Sequence, residues 1–390
     1  MPPRKKILWL TSWYPHEEDP FDGDFIQRHA RAAAIYHDVH VICVNESNIA
    51  ESRRETWSHS TGLSEQVIQF RKLRGPAAAF RRHVRWQTCF RNAVKAYITR
   101  EGLPDIVHVH IPWKAGLIAL WVKKQFGKPY IISEHWGIYT PSAADHFHSR
   151  SLIAQKLLRK IFTESSGVVT VSRFLANAIR NITGRNSDFI LPNVVDTALF
   201  YPKNEKYSRF SFIHVSNMVP LKNAGKILQA FAELHNKHPE AQLIMVGNRD
   251  DQYVKEAGAL GLLNQSVFFR GEISYVDVAE EMRRCHCMVL FSDSETFSCV
   301  TAEALCSGLP VIASGVGALP ELISGENGKL VTAGDVFELA KAMEEVLEHY
   351  HDYDARKISA AASARYSYTA VSQAFADLYA ADFCSGKLKD

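Results

Sequence analysis

The stretch from Ser292 to Leu319, SDSETFSCVTAEALCSGLPVIASGVGAL, contains the pattern that decides the fold. The apolar run Cys287–Phe291 in front of it predicts a buried strand, and Val300–Cys306 is predicted to be a brief helix after a short polar loop. A second apolar run, Pro310–Ala313, follows. A loop that leads from a strand into a helix directs backbone N–H groups above the sheet, where phosphates are favoured. The stretch therefore predicts an α/β layer with an anion-binding turn.

Two carboxylates, Glu295 and Glu303, flank this turn with seven residues between them. If the turn holds a diphosphate, neither carboxylate can lie against it, because like charges repel. Carboxylates instead accept hydrogen bonds from hydroxyl groups. A sugar nucleotide carries hydroxyl groups on both sides of its diphosphate, so this spacing predicts a nucleotide-sugar site.

Apolar strand patterns alternate with longer helical patterns along the 390 residues, which is typical of α/β layers with parallel sheets. The polar, proline-bearing gap Pro192–Tyr207 divides them into two doubly wound units, residues 1–195 and 196–366. A last helix, Ser367–Cys384, occupies a third segment, residues 367–390, and its apolar residues must bury against one of the units. In the first half the strand candidates are Lys6–Trp13, Val39–Val44, Glu65–Arg71, Ile106–Ile111, Tyr130–Glu134, Val168–Ser172 and Phe189–Leu191.

Composition narrows the class of protein. The chain is 46% hydrophobic and 22% charged with a net charge of +3, as in a soluble globular protein with no strong attraction to nucleic acid. The seven cysteines lack the paired spacing of a zinc site and predict reduced thiols in a cytoplasmic protein without a bound metal.

A basic stretch, residues 71–100, holds nine Lys and Arg and no Asp or Glu. Apolar residues at 80, 84, 90, 94 and 97 predict the buried stripe of a helix. The basic side chains have two interpretations: a solvated helix face, or a contact with an anionic membrane surface or a phosphorylated acceptor. RNA binding is disfavoured because no RNA-binding motif accompanies the run.

Three further residues lie where strands give way to loops, which is where open α/β sheets bind ligands. Gly23 opens a helix and allows a close backbone approach to a ligand, or it is a flexible turn. His135 can bond a substrate hydroxyl or carry a proton, or it is a structural histidine. Lys222 is placed to neutralise a diphosphate without a metal. The nearby His108 and His110 are interpreted as strand histidines that face opposite sides.

With these residues identified, the chain resembles the retaining GT-B glycosyltransferases of family 4. The resemblance runs nearly end to end. It rests on the E-x7-E segment together with several other motifs. These are WYP and FDGDFI in 13–26, VVTVS in 168–172, LPNVVD in 191–196, FYP in 200–202, VSNMVPLK in 215–222 and FFRG in 268–271. It implies two Rossmann-like domains facing a cleft, with the acceptor on the N-terminal domain and the donor on the C-terminal one. It also implies that the last helix crosses back to the N-terminal domain.

The resemblance also implies roles for single residues. Glu303 would hold the ribose hydroxyls, and Glu295 those of the transferred sugar. Lys222 would bind the diphosphate, Gly23 would approach it from the other domain, and His135 would lie near the reaction centre. The remaining positions are the backbone N–H donors Phe297, Ser298, Cys299 and Val300, the base-flanking residues Arg270 and Ile273, and Asn217, which stands where the family usually has a diphosphate-binding arginine.

These observations predict an enzyme that transfers a sugar from a UDP- or GDP-sugar to an acceptor hydroxyl, with retention and without metal or cofactor. The sugar or lipid-linked acceptor would belong to cell-envelope polysaccharide or glycolipid synthesis, at the inner face of the membrane. Two alternatives stay open. One is a nucleotide-sugar epimerase of GT-B architecture, and the other is a non-catalytic subunit that only binds the nucleotide sugar.

Overall fold

The computed structural model describes residues 4–140, 145–248 and 250–381. The chain forms two compact units, Met1–Val194 with Val371–Asp390, and Val195–Ala370. Each unit contains one largely parallel sheet with helices, so the predicted α/β class is confirmed.

The sheet of the first unit has eight strands in the order β3-β4-β2-β1-β5-β6-β7-β8. Its central strands are apolar on both faces, because crossover helices cover a parallel sheet on both sides. The strands are β1 (Lys6–Thr11), β2 (Asp38–Ser47), β3 (Arg53–Ser60), β4 (Leu63–Arg71), β5 (Ile106–His110), β6 (Tyr130–Glu134), β7 (Gly167–Thr170) and β8 (Phe189–Ile190).

Strand β3 was not predicted, and it is the one antiparallel strand of the described part of this sheet. Its sequence, RRETWSHS, has no buried face and lacks the apolar alternation that identifies a strand. It lies at the edge of the sheet, where charged side chains are common because they discourage pairing with another chain.

The helices of the first unit connect these strands. Within the second of them, Trp86, Phe90, Val94 and Tyr97 form the buried stripe. The prediction that Phe80 and Val84 belong to this stripe was wrong, since they are 70% and 45% exposed near the start of the helix. The helices are α1 (Asp24–Ala34), α2 (Ala78–Glu101), α3 (Pro112–Phe126), α4 (Leu152–Glu164) and α5 (Arg173–Thr183).

The two strand histidines of β5 face the same side of the sheet, not opposite sides as predicted. Their ring centroids lie 4.3 Å apart, and both side chains are fully buried. Successive strand residues alternate between faces, so His108 and His110, two positions apart, must share one.

The second unit contains a six-stranded parallel sheet in the order β11-β10-β9-β12-β13-β14. Strand β9 lies beside β12, so the loops that follow these two strands emerge next to each other at the carboxyl edge. The strands are β9 (Ser211–Val215), β10 (Gln242–Val246), β11 (Val267–Gly271), β12 (Cys287–Leu290), β13 (Val311–Ser314) and β14 (Gly328–Val331).

Apolar helix faces pack on this sheet and form a core that includes Phe212, Phe231, Val289 and Met343. Among the residues described, no helix combines the length and apolar character needed to cross a membrane. The helices are α6 (Ala224–Lys237), α7 (Asp251–Ala259), α8 (Tyr275–Arg284), α9 (Cys299–Cys306), α10 (Leu319–Leu322), α11 (Val336–Glu348), α12 (Ala355–Tyr366) and, leaving this unit at Val371, α13 (Tyr368–Ala380).

Helix α13 belongs to the first unit from Val371 onward, so the predicted return of the last helix is confirmed. Its apolar face is buried, and Phe375 and Tyr379 have no exposed surface. Trp9 on β1 donates its Nε1–H to Tyr379 Oη (2.9 Å), and His108 Nδ1 lies 2.8 Å from the same oxygen. The predicted extension of this helix to Cys384 falls outside the described residues.

We expect Tyr379→Phe to lower the free energy of unfolding by about 1–3 kcal/mol, because the buried Trp9 N–H and His108 nitrogen lose their partner. Denaturation in urea, followed by fluorescence, measures the loss. The control is Gln373→Ala on the exposed face of α13, which should change stability by about 0.5 kcal/mol or less. Equal stability of the two variants would show that the Tyr379 hydroxyl does not fasten the helix.

Candidate functional site

The predicted anion-binding turn lies between β12 and α9. The helix begins at Cys299, one residue before the predicted start. Ser298 precedes it with a left-handed backbone (φ 77°), and its Oγ accepts a hydrogen bond from Thr301 N (3.3 Å). A left-handed backbone is rare for serine, and such geometry concentrates at ligand sites.

A close backbone approach fixes the loop between β12 and α9. Gly317 has a positive φ of 58°, and a Cβ atom there would lie 2.1 Å from the carbonyl oxygen of Glu295. Ala318 N donates to that same oxygen (2.9 Å). The turn after β13 therefore holds the backbone of Glu295, and only glycine leaves room for this contact.

The Glu295 side chain is paired with Lys222. Lys222 Nζ donates to Glu295 Oε1 (2.5 Å), and Ser292 Oγ donates to the same oxygen (2.8 Å). Both side chains are mostly buried, with 20% of Lys222 and 10% of Glu295 exposed. The structure thus brings together the predicted diphosphate cation and the predicted sugar-binding carboxylate.

The loops that carry these two residues are joined. Asn223 donates its amide Nδ2 to the carbonyl of Phe291 (3.0 Å) and to Asp293 Oδ1 (2.7 Å). Asp293 N in turn donates to the carbonyl of Leu221 (2.9 Å). These bonds lock the loop after β9 to the loop after β12, so the Lys222 ammonium group is placed by backbone geometry.

Glu303 lies inside α9 and is 3% exposed. Tyr275, the first residue of α8, donates its hydroxyl to Glu303 Oε1 (2.9 Å). Arg270 and Ile273 flank the junction between β11 and α8, and Arg270 Nη2 donates to Tyr207 Oη (3.3 Å). The residues predicted to border a ribose and a base therefore come from neighbouring segments of the second unit.

Asn217 is exposed in the loop after β9. The buried His214 on β9 stabilises that loop. Its Nε2 lies 2.7 Å from Ser216 Oγ at the start of the loop, and its Nδ1 lies 2.9 Å from the carbonyl oxygen of Val289. Burial lowers the pKa of His214 to about 4, so the ring is neutral at pH 7. Asn217 brings no positive charge to the place where the family resemblance leads us to expect an arginine.

Gly23 and His135 belong to the first unit. Gly23 caps α1 with φ 65°, and a Cβ there would lie 2.8 Å from the backbone of Trp13. His135 is 6% exposed, with its Nε2 3.4 Å from His110 Nδ1, and burial holds its pKa well below the usual value. Burial also raises the pKa of the preceding Glu134 to about 7, while that carboxyl accepts the His135 N–H (2.9 Å).

Two groups of side chains have metal-ligand geometry in the described part of the chain. His29, His110 and His135 place one nitrogen each within 4.8 Å of the others and are buried, and His238, Glu344 and Glu348 form a more exposed group. His29 lies far from His110 and His135 along the chain, so no pattern within one segment indicates this group. The expectation of a metal-free enzyme stays a prediction.

Several residues that contact the predicted site residues were not themselves predicted from the sequence. Ser292 and Asn223 are small polar residues in loops, and Tyr275 opens a helix distant in sequence from its partner Glu303. Gly317 was visible only as part of a G-x-G too short for a dinucleotide fingerprint. No pattern within a single segment reveals such contacts, because each joins two separate segments.

Two protein families match the chain over adjoining regions. The model described as Glycosyltransferase Family 4 matches residues 25–199, and the model described as Glycosyl transferases group 1 matches residues 198–364. The chain belongs to the group 1 and family 4 glycosyltransferases. The Glycosyltransferase Family 4 match covers most of the first unit, which contains α1 and His135. The Glycosyl transferases group 1 match covers most of the second unit, which contains Glu295 and Glu303.

The fold of this family member is GT-B. It is similar to sucrose-phosphate synthase of Thermosynechococcus elongatus, with a TM-score of 0.76 and 21% identity over 96% of this chain and 98% of that one. It is also similar to HepE of Anabaena in complex with UDP, with a TM-score of 0.73 and 20% identity over 96% and 99%.

Among sequence relatives, N-acetyl-α-D-glucosaminyl L-malate synthase of Bacillus anthracis is 29% identical over 259 residues, covering 62% of this chain. The match covers 64% of that relative, just under two thirds of its length.

We expect Gly317→Ala to destabilise the second unit by about 2 kcal/mol or more, because the new Cβ would overlap the carbonyl of Glu295 at a positive φ. Thermal unfolding measures the change. The matched control is Gly325→Ala, since a Cβ at Gly325 meets nothing within 4 Å. Equal melting temperatures for the two variants would contradict the close approach.

Proposed function

We propose that this protein transfers a sugar from a nucleoside-diphosphate sugar to an acceptor hydroxyl. The observation that carries the proposal is the arrangement at α9, where Glu295 and Glu303 flank the start of the helix and Lys222 pairs with the first of them. One carboxylate suits the sugar hydroxyls, the other suits the ribose hydroxyls, and the helix start suits the phosphates between them.

Charge development explains why these groups would accelerate transfer. When the sugar departs, negative charge collects on the diphosphate and positive charge on the sugar ring. The positive end of the helix dipole lies at the start of α9, beside Ser298 and Cys299, and would favour an anion there. Lys222 adds a full positive charge, and fixed donors of this kind stabilise a transition state more than the ground state.

Donor binding would rearrange the pair of Lys222 and Glu295. In the ligand-free protein the two groups neutralise each other. A sugar hydroxyl would replace the ammonium group at Glu295, and Lys222 would turn to the diphosphate. Because Asn217 adds no charge, Lys222 and the backbone dipoles would carry most of the compensation, without a metal ion.

Retention at the anomeric carbon is part of the proposal. Around α9 the described carboxylates are committed to hydrogen bonds with Lys222, Ser292 and Tyr275, an arrangement suited to binding hydroxyls and not to attacking a sugar. We therefore favour attack by the acceptor on the face that the diphosphate leaves, with a donor phosphate oxygen taking the acceptor proton. Glu295 would position the sugar during this step, and the role of His135 near the reaction centre stays a prediction.

Glu303→Ala is expected to weaken nucleotide-sugar binding by about tenfold or more, because the ribose hydroxyls lose a charged acceptor. Glu295→Gln should keep nucleotide binding but lower the transfer rate by about a hundredfold. A thermal-shift screen with UDP-, GDP- and ADP-sugars identifies the donor, and calorimetry then measures affinity. The control is the exposed Glu326→Gln.

The same assays separate the alternatives. Conversion of the donor without any acceptor would indicate an epimerase. Tight donor binding with neither transfer nor hydrolysis would indicate a non-catalytic subunit. Unchanged donor affinity in Glu303→Ala would remove the ribose role of that residue.

We also propose that the start of α2 contacts an anionic membrane surface at the cytoplasmic face, where a lipid-linked acceptor for envelope polysaccharide or glycolipid would lie. Phe80 is 70% exposed and Val84 45% exposed beside the exposed Arg81. Exposed aromatic and basic groups on one helix are typical of interfacial binding.

Phe80→Ser should reduce binding to phosphatidylglycerol vesicles by about tenfold, because roughly 1.5–3 kcal/mol of apolar burial is lost. Sedimentation with vesicles measures the effect. The exposed Lys95→Gln, farther along α2, is the control. Equal binding to neutral vesicles, or equal loss in both variants, would contradict a membrane contact at Phe80.

A further inference from the structure

A polar cavity lies within the first unit. It has a volume of about 290 Å³ and opens where β1, β2 and β4 end against the first turns of α2. Ser12, Asn45 and Phe70 contribute from the strand ends, Arg82 and Trp86 from α2. The carboxyl ends of parallel strands are where α/β sheets bind ligands. We call this the β1–α2 cavity.

Positive charge dominates the cavity wall. Arg82 and Lys114 both line it, and Glu46 is the one carboxylate among its lining residues. Arg82 reaches Glu46 only through Nε, at 3.4 Å, and 30% of the Arg82 side chain is exposed. Lys114 makes neither an ion pair nor a hydrogen bond within the described part of the chain. Two cations against one carboxylate leave a net positive charge for an anionic ligand.

The position of Lys114 is built into a strained segment. Its backbone has φ 69° and ψ −62°, and Ile111 just before it has φ 56°. Ser12 holds this segment, donating to the carbonyl of Ile111 (2.7 Å) and accepting from Ala115 N (3.2 Å). Non-glycine residues adopt such conformations at a cost of about 1–3 kcal/mol each, and they cluster at ligand sites.

A buried donor in the same wall lacks an acceptor. The amide Nδ2 of Asn45 is inaccessible to solvent and has no partner among the described residues. More than 90% of buried polar groups in proteins are hydrogen-bonded, so this donor in the cavity wall is an exception.

We propose that the β1–α2 cavity binds an anionic group, a phosphate or carboxylate, carried by the acceptor whose hydroxyl receives the sugar. This rests on the proposed transferase function and names the class of its acceptor. Arg82 and Lys114 pair with the anion, while Phe70 and Trp86 give the cavity an apolar wall. A volume of about 290 Å³ suits a small polyol phosphate or hydroxy acid, whether free or as a lipid headgroup.

Calorimetry on the full chain tests this assignment with sn-glycerol 3-phosphate, glycerate and inorganic phosphate as anionic probes and glycerol as the neutral one. At least one anionic probe should bind, and glycerol should not. Arg82→Gln and Lys114→Gln should each weaken that binding about tenfold or more, because a charge-assisted hydrogen bond contributes roughly 1.5–3 kcal/mol. The matched control is Arg81→Gln, the neighbouring exposed arginine outside the cavity, which should change affinity less than twofold.

Three results would overturn the assignment. One is a dissociation constant above about 10 mM for every anionic probe. Another is equal affinity for glycerol and glycerol 3-phosphate. The third is an equal loss in Arg81→Gln and Arg82→Gln, which would indicate a diffuse positive field instead of a cavity.

Binding to phosphatidylglycerol vesicles, measured beside binding to the free probe, distinguishes a lipid headgroup from a soluble acceptor as the source of the anion. If Arg82→Gln loses binding to both glycerol 3-phosphate and phosphatidylglycerol vesicles, the cavity takes a lipid headgroup. If it loses only the free probe, the cavity takes a soluble acceptor. Both outcomes support the anion site.

Donor binding separates this inference from the proposed function. Arg82→Gln should retain the thermal shift produced by the matched nucleotide sugar. Anion binding in a chain that binds no nucleotide sugar would defeat the transferase proposal and leave the cavity as an anion site.

Discussion

The second unit depends on the contact between the turn after β13 and the backbone of Glu295. At Gly317 the two loops lie so close together that a Cβ atom would overlap the Glu295 carbonyl oxygen, and Ala318 N donates a hydrogen bond to the same oxygen. This contact fixes the loop backbone from one side, while Asn223 fixes it from the other. The Glu295 carboxylate is therefore held at a set height above the sheet, where Lys222 and Ser292 reach it.

The two units handle charge differently. Around α9 the Glu295 carboxylate is paired with Lys222 and both side chains are mostly buried, so these two charges largely cancel. In the β1–α2 cavity the cations outnumber the carboxylate and Lys114 is exposed. A paired site gives up an internal partner when a ligand enters, whereas an unpaired cavity attracts an anion from solution.

The features that were predicted correctly from the sequence are those that lie within one short segment of it. Apolar runs of parallel strands, the E-x7-E spacing and the amphipathic last helix each lie within one short segment, and each is where it was expected. Strand β3 was not predicted because an exposed edge strand needs no apolar face. The placement of Phe80 and Val84 failed because, at about 100° per residue, these two side chains lie on a different side of α2 from the buried Trp86.

The candidate site shows the same division. Glu295, Glu303 and Lys222 could be proposed from type and spacing, but their partners Ser292, Tyr275 and Asn223 could not, since pairing is a property of the folded chain. The opposite facing predicted for His108 and His110 was an error of period, because residues two apart on a strand share a side. The buried group that His110 forms with His29 and His135 again joins distant segments.

Helix α13 has a consequence for how the protein is made. The first unit is completed by Phe375 and Tyr379, although its other elements end by Val194. A ribosome that adds about 5–20 residues each second needs roughly 10–35 s to translate the intervening unit. During that interval the face of β1 and β5 that carries Trp9 and His108 lacks its covering helix. The first unit therefore reaches its complete fold only after the second unit has been synthesised.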